Sequence, residues 1–337
     1  MDSKHFSDLD YRMMRRAIQL ARYGEGFTHT NPLVGAVIAT PDGRIIGEGW
    51  HRKYGEGHAE VNAMASVKDS DRHLIPEATI YVTLEPCSHY GKTPPCAKLL
   101  IDNQVRRVVV GSLDPFPEVS GRGIRMLRDA GIEVAAGLLE EECKALNPHF
   151  LTAHTLRRPY VTLKWAQSAD GFIAPASGLP RAIFSTPLSM IDVHRLRASS
   201  NAILVGVNTV IADNPRLDTR LWPGRSPRPA SRQSQRLPAD SHLLRQNPIL
   251  RLPDESLPDF LYRIYKEEKI NSLLVEGGTV TLNEFIAANL FDRIRVEISP
   301  IHLHSGIPAP TLSLNSQVIL SSATHCGNNQ ILTFLPA

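Results

Sequence analysis

The residues with the clearest chemistry are His58 and Glu60, then Cys87 at the end of Glu85-Pro86-Cys87 and Cys96 at the end of Pro94-Pro95-Cys96. One imidazole and two thiols form the N/S/S donor set of a catalytic zinc, whose fourth tetrahedral position stays open to water. Two thiolates and a neutral imidazole cancel the charge of Zn²⁺, so water there is activated less than by neutral ligands and a nearby base is useful. Glu60 is assigned that role: a proton shuttle that takes a proton from water and delivers it to a ring nitrogen and the leaving ammonia. H-x-E followed by P-C is the signature of zinc nucleobase deaminases, with the Glu outside the metal shell. A closed structural zinc would want a fourth protein ligand, and His51 or His89 could supply it. The joint pattern of Glu beside His and Pro before each Cys favours the open site.

These side chains need elements that bring them to one place. Leu9, Met13, Met14, Ala17, Ile18, Leu20 and Ala21 recur at near-helical spacing and predict an amphipathic helix over residues 8–23, ended by Gly24 and Gly26. Strands are predicted at 33–39 and 45–50, joined by the Pro41-Asp42-Gly43 turn, and at 79–84, 107–111 and 132–136. Helices are predicted at 58–67, from 97 to 101, and at 124–130. His58 and Cys96 then open helices and Cys87 follows a strand, so all three can meet at one sheet edge. Helix N-termini also favour thiolates. Alternating elements of this kind indicate a layered α/β domain with some parallel strands.

Residues 147–158 lose the alternation and read as a linker, giving domains 1–147 and 159–337 with linker 148–158. In the second half, strands are predicted at 160–165, 202–206, 272–276 and 294–299, and helices at 188–198 and 281–289. That half is again α/β. Residues 222–253 do not fit: Pro223, Pro227, Pro229 and Pro238, with Arg225, Arg228, Arg232 and Arg236, stand in a stretch without a convincing strand. Long loops of this kind are usually functional or disordered.

A chain of 337 residues suits two domains, and 42% hydrophobic with 21% charged residues is an ordinary globular balance. No apolar run approaches the ~20 residues of a membrane-spanning helix. The first residues lack a secretory pattern, so a cytoplasmic enzyme is expected. A formal charge of +3, spread along the chain, and 6% aromatic residues give no sign of a nucleic-acid channel with stacking side chains. Four cysteines do not make a disulfide framework in a chain this long, and Cys143 and Cys326 are read as structural.

The sequence resembles the bifunctional riboflavin biosynthesis deaminase/reductase family. In the first half the resemblance rests on Asn31-Pro32-Leu33-Val34-Gly35, His58-Ala59-Glu60-Val61, the unbroken run from Leu84 to Cys96, Asp114-Pro115-Phe116-Pro117 and Gly121-Arg122-Gly123. Deaminases of tRNA or cytidine usually carry P-C-x-x-C, whereas eight residues separate the two cysteines here. The resemblance implies a cytidine-deaminase-like three-layer domain. Its substrate would be a diamino-hydroxy-pyrimidine bearing a phosphoribosylamino group, deaminated at C2. Asn31 and His51 would hold that substrate, and Lys92 its phosphate.

The second half is similar to the family's reductase domain, of dihydrofolate-reductase-like α/β fold, which uses NADPH to open and reduce the ribose. The matching pieces are Lys164-Trp165-Ala166-Gln167-Ser168-Ala169-Asp170-Gly171, Leu196-Arg197, Gly206-Val207-Asn208-Thr209, Asp213-Asn214-Pro215-Arg216-Leu217, Val275-Glu276-Gly277-Gly278 and Glu297-Ile298-Ser299-Pro300. Independently of any family, Gly277-Gly278 between a strand and a helix lets a phosphate approach the backbone at a helix N-terminus. The resemblance places the cofactor on Ala166, Ile183, Thr209, Asp213 and the run Gly278, Thr279, Val280, Thr281, Leu282, Asn283, Glu284. Lys164, Arg181, Arg197, Leu217, Arg220 and Glu276 would face substrate, the arginines suiting its phosphate.

Two departures stand out. Ile183 occupies a position where the family usually has Trp. After Arg228 the family runs as an apolar strand, whereas here Pro229 and a polar run to Pro238 follow, and the stretch from His242 to Leu257 is shorter than usual. Pro lacks a ladder donor and polar residues fill a buried strand poorly, so weakened NADPH binding with retained deaminase activity is expected. A deaminase with a degenerate second domain, or a nucleic-acid deaminase, are the alternative readings. The expected partner is a small phosphoribosylamino-pyrimidine, without nucleic acid or membrane, in a chain that could form a homo-oligomer.

Overall fold

The computed structural model describes residues 6–90, 94–116, 120–314 and 317–337, so Lys92 and Pro117 lie outside the described residues. The chain divides into two compact units, Met1–Thr155 and Leu156–Ala337.

The first unit is built on five strands: β1 (Gly35–Ala39), β2 (Ile45–Trp50), β3 (Thr79–Leu84), β4 (Arg107–Ser112) and β5 (Glu133–Ala136). Their order is β2-β1-β3-β4-β5, antiparallel around β1 and parallel from β3 to β5. Side chains alternate across the sheet. Ala36, Ile38, Ile80, Val82, Val108 and Val110 pack against α2 (Ala59–Ser66), α3 (Cys96–Asp102) and α4 (Arg122–Asp129). Val37, Ala39, Tyr81 and Val109 pack on the other face against α1 (Asp8–Arg22) and α5 (Glu140–Lys144). The result is the expected three-layer sandwich.

Glycine sets how closely α2 sits on the sheet. A Cβ on Gly49 of β2 would lie 2.2 Å from the Ala63 amide nitrogen and 2.5 Å from the Ala59 carbonyl oxygen. Gly49→Ala should therefore lift α2, destabilising this unit by about 1–3 kcal/mol. Thermal unfolding and bound zinc should both fall in the variant. An unchanged melting temperature would contradict the close packing.

The segment expected as a linker is a helix, α6 (Pro148–Leu156). Its Ala153 is buried, while its remaining positions give no single apolar stripe, so its sequence carries no amphipathic signal.

The second unit carries an eight-stranded sheet in the order β10-β9-β8-β11-β6-β12-β15-β14. Its strands are β6 (Tyr160–Gln167), β8 (Ala202–Leu204), β9 (Arg228–Arg232), β10 (Ile249–Arg251), β11 (Ser272–Val275), β12 (Arg293–Ile298), β14 (Val318–Cys326) and β15 (Asn329–Pro336). A separate two-stranded piece pairs β7 (Phe172–Pro175) with β13 (Gly306–Pro308). The strands from β10 to β12 run parallel; β15 and β14 close the edge antiparallel. One face packs on α9 (Leu257–Lys266) and α10 (Thr279–Ala287) through Leu163, Trp165, Phe260, Phe285 and their neighbours. The other face meets α8 (Val207–Asp213) through Val210, and it bonds to α7 (Pro187–Ala198) through Arg295 and Asp192.

The stretch 222–253 does contain strands, which corrects the sequence reading. β9 is internal, and its Ala230 and Ser231 are fully buried. Alternate residues of a strand point their backbone groups to opposite neighbours. Arg228 donates to Asn201 O (2.9 Å) and Ala230 O accepts from Val205 (3.0 Å), so Pro229 presents its donor-free nitrogen to the other side. There the edge strand β10 begins only opposite Ala230, so no ladder bond is lost. Ser231 hydroxyl donates to Val205 O at 2.9 Å, which satisfies the buried polar group. With the strand present, the argument for a weakened cofactor site loses its premise.

Candidate active sites

His58 is the N-cap of α2, Cys96 is the first residue of α3, and Cys87 lies three residues beyond β3. The chain thus delivers three donors to one end of the sheet. His58 Nδ1 is 3.6 Å from Cys87 Sγ and 3.4 Å from Cys96 Sγ, and all three donor atoms lie within 4.8 Å of one another. A tetrahedral centre with Zn–S near ~2.3 Å and Zn–N near ~2.0–2.1 Å needs S···N separations of about 3.5–3.6 Å. Both S···N separations and the N/S/S chemistry of the donor set fit zinc. Among the described residues no fourth His, Cys, Asp or Glu joins it, and His51 is otherwise engaged. That is the open arrangement of a catalytic site.

The two thiols differ in their hold on a proton. Cys87 is driven toward thiolate by hydrogen bonding from Cys96 and His58, and by the Cys96 amide N–H at 3.2 Å. The Cys87 thiolate and burial in turn push the Cys96 thiol up, and Cys87 pulls the His58 imidazole up as well. Metal-free protein therefore holds protons that zinc must displace. Zinc binding at neutral pH should release protons, and apparent affinity should fall as pH is lowered. Calorimetry in two buffers of different ionisation enthalpy checks this; a buffer-independent binding heat would refute it.

Glu60, in the first turn of α2, is 3% exposed and its carboxyl faces Cys96. Burial, then the Cys87 thiolate, push it from an ordinary 4.5 up to about 7, a range that suits proton transfer in both directions. His51 Nδ1 must donate to Gly57 O (3.1 Å), because a carbonyl only accepts; its Nε2 then accepts from Asn31 Nδ2 at 3.1 Å. Burial holds this imidazole neutral by lowering its pKa. Its ring lies 5.8 Å from that of His58, so Asn31 and His51 flank the donor set. Asn147 was not anticipated as part of this site. Its amide accepts from Leu33 N (2.7 Å) and donates to Leu33 O (2.8 Å), holding the loop next to Asn31 as a strand neighbour would. No local pattern signals a contact across 114 positions.

In the second unit, Gly206 caps α8 and Gly278 caps α10, and neither helix start has a side-chain cap. A Cβ on Gly206 would lie 2.6 Å from Thr281 Oγ1, and one on Gly277 would lie 2.8 Å from Thr281 Cβ. Thr209 Oγ1 is 3.7 Å from the Cβ position of Gly278. Bare helix N-termini beside glycine backbone suit a dinucleotide diphosphate. Val280 is 81% exposed, and Asn283 is exposed beside it. One expected cofactor contact, Leu282, can offer only its backbone. Leu282 is fully buried in the core and its N–H bonds to Gly278 O, so its side chain faces away. Glu284 is held by Arg251 at 2.6 Å, while Thr279 Oγ1 bonds to Pro308 O. Ala166 is half-buried on β6, Ile183 is exposed, and exposed Asp213 lies 3.5 Å from Arg181.

The expected substrate residues separate in the same way. Leu217, in the left-handed region (φ 57°), buries its side chain with Ile203, Val205 and Leu274, so only its backbone could meet a ligand. Arg197 is committed to Glu276 through a two-pronged pair, Nε–Oε1 3.0 Å and Nη2–Oε2 2.8 Å. Arg220 is paired with Asp218. Lys164, buried on β6, is pushed down by burial against the opposing pull of Glu276 and Glu297. Sequence reasoning matched Glu297 within a motif but missed its role: it accepts from Ser185 Oγ (2.8 Å) and Asn329 Nδ2 (2.6 Å). It also missed His194, one helical turn before Arg197 and fully buried, with neither ring nitrogen hydrogen-bonded. Its i, i+3 spacing from Arg197 was the available signal.

Comparison with known proteins matches both halves of the chain. The family model described as "Cytidine and deoxycytidylate deaminase zinc-binding region" matches residues 7–112, and that described as "RibD C-terminal domain" matches 159–332. The riboflavin biosynthesis protein RibD of Aquifex aeolicus is 38% identical, covering 92% of each chain. That of Actinobacillus pleuropneumoniae is 40% identical, covering 88% of this chain and 85% of its own. The solved structure of Acinetobacter baumannii RibD superposes with a TM-score of 0.88 at 33% identity, covering 98% of this chain and 100% of that one. A Thermotoga maritima diaminohydroxyphosphoribosylaminopyrimidine deaminase/5-amino-6-(5-phosphoribosylamino)uracil reductase gives 0.85 at 34% identity, covering 98% and 99%. Matched in order through both halves, the chain belongs to the RibD family of bifunctional riboflavin biosynthesis enzymes, which join a zinc-dependent deaminase to an NADPH-dependent reductase.

Proposed function

We propose that this chain deaminates 2,5-diamino-6-(5-phosphoribosylamino)pyrimidin-4-one and then reduces the ribosyl chain of the resulting 5-amino-6-(5-phosphoribosylamino)uracil. The observation that carries the reading is the convergence of His58, Cys87 and Cys96 donor atoms within 4.8 Å, with buried Glu60 alongside. Zinc held there supplies Lewis acidity toward water, and NADPH supplies a hydride. Glu60 moves the protons: it accepts one from the attacking water and passes it to the ring nitrogen next to C2. It then takes the second proton from the new C2 hydroxyl and gives it to the departing amine, so that C2 becomes a carbonyl and ammonia leaves. Asn31 would orient the pyrimidine through the rest of its amide, which the His51 imidazole holds in place.

In the reduction, C1′ of the sugar gains the hydride, the C1′–O4′ bond breaks, and O4′ takes a proton. Gly206, Thr209, Gly278 and Thr281 would hold the cofactor's diphosphate, with Ala166, Asp213 and Val280 nearby. Lys164 and Glu276 would hold the opened sugar, and the exposed Arg181 and Arg220 would reach its phosphate. The domains proposed are 1–147 and 159–337. Among the described residues no helix is long and apolar enough to cross a membrane, and we place the enzyme in the cytoplasm, acting on small metabolites and not nucleic acid. The exposed edge strand β14, with Ile319 and Leu320 uncovered, supports a homo-oligomer.

A coupled assay with the phosphoribosylamino diaminopyrimidine tests the reading, with ammonia release and NADPH loss followed together. Both signals are expected. Ammonia alone would leave only the deaminase reading, and neither would overturn it.

A further inference from the structure

The E-P-C turn carries more than a metal ligand. Glu85, one residue past β3, is 6% exposed, and its carboxylate gathers four main-chain N–H groups from a distant stretch of chain. Oε2 accepts from Gly121 at 2.9 Å and Asp114 at 3.3 Å; Oε1 accepts from Gly123 at 2.9 Å and Ile124 at 3.4 Å. Gly121 is the N-cap of α4, with φ 76° and no side chain to cap the helix. Glu85 therefore satisfies orphan donors of that helix from another segment, and its charge suits the helix start.

A second observation locks the same turn. A Cβ on Gly123 would lie 2.0 Å from the Pro86 carbonyl oxygen, so Pro86 rests directly on the α4 backbone. Pro86 has a ring-fixed φ and is followed at once by Cys87. On its other side Cys87 is fixed by Ala97 N–H, which donates to Cys87 O at 3.2 Å. The direction of the Cys87 thiolate is thus set from two sides, by α3 after it and by Glu85 before it.

We propose that Glu85 is a positioning residue of the zinc centre, aiming Cys87 by clamping its turn to α4. The proposal rests on the zinc reading of His58, Cys87 and Cys96, and it adds a determinant that touches neither metal nor substrate. Partners of this supporting kind typically alter metal affinity by ~10–100-fold.

Glu85→Gln places an amide NH₂ against backbone N–H donors. The purified variant should lose zinc to a competing chelator about 10–100-fold faster than the parent. Its cobalt-substituted form should show shifted thiolate-to-metal and d–d bands, a signature that a purely stabilising cap would not move. Glu85→Asp keeps both oxygens one methylene short and should recover part of the zinc retention. Reduction of separately supplied deaminated substrate serves as the folding control and should be unchanged. A folded Glu85→Gln chain with parental zinc release and cobalt spectrum would overturn the proposal. If Glu85→Gln does not fold, Glu85→Asp decides by the same two readouts. Failure of both variants to fold would also overturn it, making Glu85 a determinant of folding and not of ligand aim. Absence of zinc from the parent chain would instead sink the zinc reading itself.

Discussion

Glu60→Gln should abolish ammonia release almost completely, by on the order of 10²–10⁴-fold, while leaving zinc and NADPH oxidation in place. Glutamine has the shape of glutamate but can neither take a proton from water nor return one to the leaving amine. Glu60 is buried in the first turn of α2, two residues from His58, and burial holds its carboxyl near neutrality, where it can do both. Because it is not among the donors grouped for zinc, metal content should survive. The checks are single-turnover ammonia release, bound zinc per chain, and NADPH consumption from supplied deaminated substrate. A residual rate within about tenfold of the parent would remove Glu60 as the proton carrier.

The second large effect is expected in the other unit. Glu276→Ala leaves the Arg197 guanidinium with only the Asp218 carbonyl at 3.2 Å, and breaking a buried pair in this way costs about 3–5 kcal/mol. Burial alone would raise the Glu276 pKa, but Arg197 outweighs it and holds the carboxyl below its ordinary 4.5. A lowered folded value means the contribution is complete above the unfolded pKa and is lost as pH falls through the folded one. The loss should therefore be full at neutral pH and shrink in acid. Denaturant unfolding followed by fluorescence of Trp165 and Trp222 measures it in this unit. Replacing both partners with apolar residues should recover much of the stability but none of the reductase activity. A loss below about 1 kcal/mol for Glu276→Ala would show that Arg197 finds solvent or another partner.

The deaminase centre was legible because its chemistry is carried by local pattern. His58 at a helix N-cap, Glu60 one position into α2, and Cys96 opening α3 are each fixed by sequence neighbours. Strands β3 and β4 were equally plain, since their apolar runs are bounded by turn residues. Residues whose role depends on distant partners were not. Pro229 read as a strand breaker until the sheet order showed which neighbour its missing donor faces. The β14–β15 hairpin escaped because β14 is exposed along most of its length and is held by backbone pairing that leaves no alternation.

The same division runs through the proposed ligand contacts. Family resemblance carried Leu217, Leu282 and Arg197 over by position, but packing sent both leucine side chains into the core and gave Arg197 to Glu276. Glu85 and Asn147 gained their partners only once segments 29 to 114 positions apart came together. Sequence by itself determined which residues could bind zinc and which helices would present them, because short-range sterics and capping suffice for that. Tertiary structure decided which charges are free and which are already paired, because burial leaves a charge stable only where the fold supplies its partner.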